Sequence, residues 1–136
     1  MPLKNKSSNS FSVNITERTL SQLTENYKEE SQTTVLCNYI SKQKYINGGW
    51  VNIYPTTYLV NKNQTLPLLH AQNIPLAPNR HVFKKAGELK QFILLFPAVP
   101  IDWEYFSVIE KCIDANGFVV SNIKRNKTGL YEISIH

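Results

Sequence analysis

The chain has 136 residues, 42% hydrophobic and 18% charged, with fifteen Lys+Arg against ten Asp+Glu for a net charge of +5. Those values describe one globular domain, long enough to bury roughly 65–70% of its unfolded surface without disulfides or metal, and exclude a disordered chain. The basic excess aids solubility and is too small to single out nucleic acid as a partner.

Residues 1–10, MPLKNKSSNS, are polar and of low complexity, and predict a mobile N-terminal arm ahead of a single domain over 11–136. Phe11, Val13 and Ile15 alternate with polar residues and predict a first strand ending near Leu20. Leu23 and Tyr27 give one thin apolar stripe over 21–31, enough for a loop or a short helix. Thr33 to Ile40 resumes the strand pattern, with Val35, Cys37 and Tyr39 on one face. The turn Asn47-Gly48-Gly49 then leads into WVNIYPTTYLV, Trp50 to Val60, where β-branched and aromatic residues predict a long strand. Pro55 within it cannot donate a ladder hydrogen bond, which predicts an edge position or a bulge.

Asn61 to Gln64 is a turn into the strand Thr65–Ala71, and residues 73–90 read as a long loop with a short strand at His81–Phe83. Gln91 to Phe96, QFILLF, is apolar on both faces and predicts a central strand, ended by Pro97 and Pro100. Trp103–Ile109 is the next strand. Asp114-Ala115-Asn116-Gly117 is a hairpin turn into Phe118–Ile123, and Lys124–Gly129 turns into a last strand, Leu130–Ile135. About eight short strands with no sustained helical period predict an all-β, antiparallel sandwich of the immunoglobulin-like kind.

Cys37 and Cys112 stand alone in apolar runs, with no metal-type spacing, and read as small buried hydrophobes. No apolar segment is long enough for a signal peptide or a membrane span, so the sequence as written predicts a cytoplasmic protein, or one of the cell envelope if it is a trimmed form. Four N-x-[S/T] tripeptides occur, against about two expected by chance, and do not argue for secretion.

None of the common hydrolase, phosphate-loop or dinucleotide motifs is present, His70, His81 and His136 lack partners at ligand spacing, and no cofactor or metal site is predicted. Three readings remain. Asp102, Glu104, Glu110 and Asp114 cluster in sequence, and two facing carboxylates would suit a hydrolase. Glu110 also ends an apolar strand, where it would accept hydrogen bonds from a turn. Arg80, Lys84, Lys85 and Lys90 in one loop, with Lys124, Arg125 and Lys127 in another, would hold an anion such as single-stranded nucleic acid if aromatics interleave. Trp50, Tyr54 and Tyr58 on a strand broken by proline would anchor another protein, or a second copy of this chain, at an open sheet edge. The favoured reading is the last, a non-enzymatic interaction or structural module.

One resemblance adds to it. The strings TTVLCNYI, GGWVNIYPTTYLV, LPLLHAQNIPLAP, GELKQFILLFPAVP, FSVIEK and GFVVSNI together resemble the Bacteroidetes-type accessory domain that precedes the catalytic domain of thioredoxin-like envelope proteins. The matching positions are Trp50, Ile53, Thr57, Tyr58, Leu59, Gly87, Glu88, Phe92, Leu94, Phe96, Pro100, Phe106, Ile109 and Glu110. The resemblance implies a β-sandwich without catalytic residues of its own. No C-x-x-C follows here, so the expectation is a stand-alone sandwich.

Overall fold

The computed structural model describes residues 32–112 and 117–135. The expected arm, first strand and 21–31 segment lie outside the described residues, as do Asp114, Ala115, Asn116 and His136. The described residues are all-β: β1 (Gln32–Ile40), β2 (Trp50–Val51), β3 (Tyr58–Asn61), β4 (Gln64–Pro67), β5 (His70–Gln72), β6 (His81–Val82), β7 (Leu89–Pro97), β8 (Tyr105–Ile109), β9 (Val119–Lys124) and β10 (Leu130–Ile135). Two sheets of four strands run in the orders β10-β1-β7-β5 and β4-β3-β8-β9, and β2 and β6 make a small ribbon.

β7 is an interior strand, as QFILLF predicts, flanked by β1 and β5. Its inner face carries Phe92, Leu94 and Phe96, and β1 contributes Val35, Cys37 and Tyr39 at matching positions. Opposite them, Leu59, Phe106, Val108, Val120 and Ile123 of the second sheet complete one core with Tyr131, Ile133 and Ile135 of β10. Period-two alternation delivers these residues to a single face, so the two sheets bury each other. Trp103, expected to open a strand, instead precedes β8 as a fully buried side chain whose Nε1–H donates to Gln64 Oε1 at 2.8 Å.

Three expectations change. The pairing of β1 with β10 is parallel, from Thr34↔Leu130 to Tyr39↔Ile135, whereas the other strand ladders are antiparallel. The stretch Trp50–Val60 is not one strand: Thr57 N–H and Thr57 Oγ1–H both donate to Tyr54 O, which closes a turn around Pro55. Proline fixes φ and removes a donor, so the chain turns there and re-enters as β3. Thr65–Ala71 is likewise two strands in different sheets, because Leu68 N–H bonds Thr57 O while Leu69 N–H bonds Leu95 O. These divisions and the β6 strand give ten strands among the described residues, while the first of the about eight expected lies outside them.

The outer face of the first sheet carries a polar ladder across three strands. Gln91 Nε2–H donates to Asn38 Oδ1 at 2.7 Å, and Asn38 Nδ2–H donates to Glu132 Oε2 at 2.9 Å. Asn38 is buried, so these bonds replace water that burial removed. Leu94 is 0% exposed at the centre of the core. Leu94→Ala is therefore expected to destabilise the domain by about 2–5 kcal/mol in denaturant unfolding, and a loss below about 1 kcal/mol would place β7 at the periphery.

Candidate functional site

At the end of the domain where β1 stops, the two sheets part around a cleft of about 460 Å³. Tyr39, Phe92 and Ile135 of the first sheet form one wall, and Glu110, Cys112, Gly117 and Phe118 of the second form another. The chain from Gly49 to Tyr54 closes a third side. Ile53 and Phe92, each 1% exposed, make an apolar floor, while Lys42, Lys44, Tyr45 and Trp50 stand at the rim.

The rim is held by the serine that follows β1. Ser41 Oγ–H donates to Lys85 O at 2.9 Å and the same oxygen accepts the Glu88 N–H at 2.8 Å. Main-chain bonds from Ser41 N–H to Glu88 O and from Gly87 N–H to Ser41 O complete the clip, which joins the 41–49 loop to the 84–88 loop. Gly48 fits beneath it at φ +82, where a Cβ would stand 2.5 Å from Lys85 O and 2.8 Å from Ser41 Oγ. At Gly49 a Cβ would meet the Tyr45 ring at 2.9 Å, so that aromatic lies directly on the turn.

Trp50 follows, 45% exposed, with the Arg80 guanidinium 4.2 Å from its ring centroid, and Lys44 Nζ lies 5.2 Å from the Tyr45 ring. Such contacts place a cation over one face of each ring and orient it. At the other end of the segment, Tyr54 N–H donates to Glu110 Oε2 at 3.0 Å. The carboxylate at the end of β8 thus accepts from a turn, as its sequence position suggested.

Burial is the first cause that pushes the Cys37 thiol up, and the Glu110 charge is the second. Burial likewise raises the Tyr39 phenol, with Tyr45 adding to it. His81, opposite Val51 and edge-on to Phe83 at 5.1 Å, is held below its ordinary value by burial and then by Lys90, against a smaller opposing effect of Glu88. Cys37 and Cys112 are free thiols.

The structure brings together some of the residues singled out from sequence and separates others. Trp50 and Tyr54 line the cleft. Tyr58 does not: it alternates with the buried Leu59 and lies on the outer face of the second sheet. Arg80 reaches Trp50, and Lys84 and Lys85 are exposed on the loop that Ser41 clips. Lys124, Arg125 and Lys127 lie at the far end of β9, roughly 20 Å from Phe118 at the strand rise. The two basic groups therefore do not form one patch. The carboxylates part in the same way, because exposed Asp102 and Glu104 precede β8 while Glu110 follows it. The length of β8 separates Glu110 from both by more than the paired spacing that glycoside hydrolysis uses. Among the described residues no group of three or more His, Cys, Asp or Glu is placed to hold a metal ion. Nor is any described helix long and apolar enough to cross a membrane.

Lys42, Lys44 and Tyr45 were not singled out from the sequence. The signal for them was the cluster Lys-Gln-Lys-Tyr immediately before the Asn-Gly-Gly turn, which places exposed charge and an aromatic beside Trp50. The chain matches no family model, no curated protein and no solved structure.

Two outcomes are expected at this site. Gly48→Ala should destabilise the domain by more than about 1 kcal/mol, because positive φ and a main-chain clash act together. Gly87→Ala, at φ +85 but with its nearest atom 3.5 Å away on a flexible glutamine, should cost less; equal losses in denaturant unfolding would show that the clip is not tight. The lowered His81 value means that the unfolded chain takes up a proton that the folded chain refuses. That contribution to stability is complete above the ordinary value of 6.5 and is lost as pH falls below it. Melting temperature should therefore fall on acidification from about pH 7.5 to 5, before most carboxylates titrate. His81→Gln should flatten that slope, and identical slopes in the two proteins would remove His81 as the cause.

Proposed function

We propose that this domain is a non-enzymatic module that docks another protein through its cleft end. The observation that carries the reading is Trp50, large, nearly half exposed and stacked with Arg80 at the rim of an apolar cleft. Trp, Tyr and Arg contribute most to interface energy, because they bury large areas at little entropic cost. Tyr45 at 49% exposure and Val82, the cross-strand partner of Trp50, at 67% extend the same surface. A monomer gains nothing by leaving such residues in water, and clustered exposed apolar side chains mark contact surfaces.

In this reading the two facing sheets are an immunoglobulin-like β-sandwich that serves as a rigid support for loops at one end. The resemblance to accessory domains of thioredoxin-like envelope proteins points the same way. A nucleic-acid-binding role has less support, since the two basic groups sit at opposite ends and no described strand presents two aromatics on one exposed face. A hydrolase has less again, since the length of β8 carries Glu110 away from Asp102 and Glu104.

The test compares three immobilised proteins against soluble extract of the native host. These are the wild type, Trp50→Ala/Arg80→Ala and Lys124→Ala/Lys127→Ala. The expected result is a partner protein held by the wild type and the 124/127 variant and lost with the 50/80 variant, with unchanged melting temperatures. A partner lost only with the 124/127 variant would move the contact to the other end. Retention of nucleic acid in place of protein would replace the reading.

A further inference from the structure

The main chain beside the cleft has one edge in use and one edge open. Phe83 N–H donates to Gly49 O at 3.0 Å, and Val51 pairs with His81 in the ribbon. Two residues on, Ile53 N–H donates to Pro75 O and Ile53 O accepts the Ala77 N–H, the two bonds of a parallel bridge to Leu76. Residues 49, 51 and 53 thus turn their main-chain groups to β6 and to the 75–77 segment. Strand alternation then turns Trp50, Asn52 and Tyr54 to the opposite edge.

Tyr54 N–H is taken there by Glu110 Oε2. Among the described residues, the main-chain groups of Trp50 and Asn52 meet no partner on that edge. It is also the edge that borders the cleft. Six consecutive residues, from Gly49 to Tyr54, line the cavity, which is the mark of a segment seen edge-on; a strand presenting one face would contribute alternate residues only.

We infer that this edge and the cleft beside it receive an extended strand from the docked protein, with an apolar side chain in the cleft and acidic side chains toward Lys42 and Lys44. The inference rests on the docking role proposed above and names the kind of partner segment. Strand addition supplies affinity through main-chain hydrogen bonds and specificity through pockets for alternate side chains, and both components are present here. The floor of Ile53 and Phe92 with the walls of Tyr39, Tyr54 and Phe118 suits a large aliphatic or aromatic side chain. Charge sets the rest: Lys44 stands over Tyr45 at the Gly49 end, Arg80 lies on Trp50, and the negative Glu110 marks the Tyr54 end. The incoming strand is therefore acidic at the lysine end and ends, or carries a cation, at Glu110.

The experiment uses the whole chain, labelled for amide NMR, and two short synthetic peptides. One alternates Asp with Val around a central Phe, and the other has Lys in place of each Asp. The acidic peptide is expected to shift the amides of residues 49–54 and to slow hydrogen exchange at Trp50 and Asn52 by about tenfold, with Val51, already paired, unchanged. The lysine peptide should bind at least about tenfold more weakly, and Lys42→Glu/Lys44→Glu should reverse the order.

Several results would overturn the inference. They are binding without added protection at Trp50 and Asn52, equal binding of the two peptides, shifts confined to another surface, or no shift by either peptide at millimolar concentration. Protection of the same amides that grows with the concentration of the free protein would assign the edge to a second copy. Protection by a short oligothymidylate in place of the peptides would assign it to nucleic acid. If a Trp50-dependent partner is still recovered from extract while neither peptide protects β2, strand addition fails and docking stands. If neither is seen, both fail.

Discussion

Everything in this domain depends on the nine-residue pairing of β1 with β7, from Gln32↔Pro97 to Ile40↔Leu89. Both strands are interior to their sheet, so their main-chain groups are bonded on both edges along much of their length. A shift of register by one residue would turn Val35, Cys37, Phe92 and Leu94 out of the core and bring Asn38 and Gln91 in. Apolar burial opposes that slip from the inner face. The Gln91–Asn38–Glu132 ladder opposes it from the outer face, because its bonds form at one register only. Main chain and both faces thus specify the same alignment, and the rest of the first sheet inherits it.

The cleft is a consequence of where that pairing stops. At Ile40 and Leu89 the ladder ends, and the chain must leave both strands without exposing buried polar groups. Ser41 meets the requirement by bonding both ways, donating to Lys85 O and accepting from Glu88 N–H, so two loops leave the sheet as one tied unit. Gly48 is needed because the loop passes against Lys85 O too closely for any side chain. Loops held in this way frame the cleft above the buried Ile53 and Phe92. A site on such a support is fixed by the scaffold while its side chains remain free to vary.

The parts legible in the sequence were those fixed by local pattern. Alternation located β1, β8 and β10, the doubly apolar QFILLF located an interior strand, and Asn-Gly-Gly located the turn that precedes Trp50. What failed was decided by contacts distant in sequence. Pro55 predicted an edge or a bulge within one strand, yet the outcome was a turn, because Thr57 bonds back to Tyr54 and Leu68 N–H bonds back to Thr57 O. Nor does any local feature of Leu130–Ile135 announce that it runs parallel to β1. At the site, Trp50 and Tyr54 were found by residue type, but Tyr58 was joined to them by the assumption of a continuous strand. The two basic loops were joined by charge alone and lie apart, while the carboxylates were joined by nearness in sequence and the length of β8 carries Glu110 away from Asp102 and Glu104.

Three of the four edges of the two four-stranded sheets, β4, β9 and β5, are blunted, and β10 is the fourth. An unpaired strand edge invites association, and proteins blunt such edges with proline, bulges, charge or short length. β4 ends in Pro67, carries exposed Gln64 and Thr65, and follows exposed Lys62. β9 is bulged opposite Phe106–Val108, with Asn122 at φ 61 and exposed polar neighbours. β5 is three residues long and closes at Asn73, whose Nδ2–H bonds Gln91 O. β2 is itself only two residues long, and Pro55 lies three residues beyond Asn52. Short, kinked or polar edges mark β4, β9 and β5, and what sets the Trp50–Asn52 edge apart is the apolar cleft beside it, where an added strand gains side-chain burial as well as main-chain hydrogen bonds.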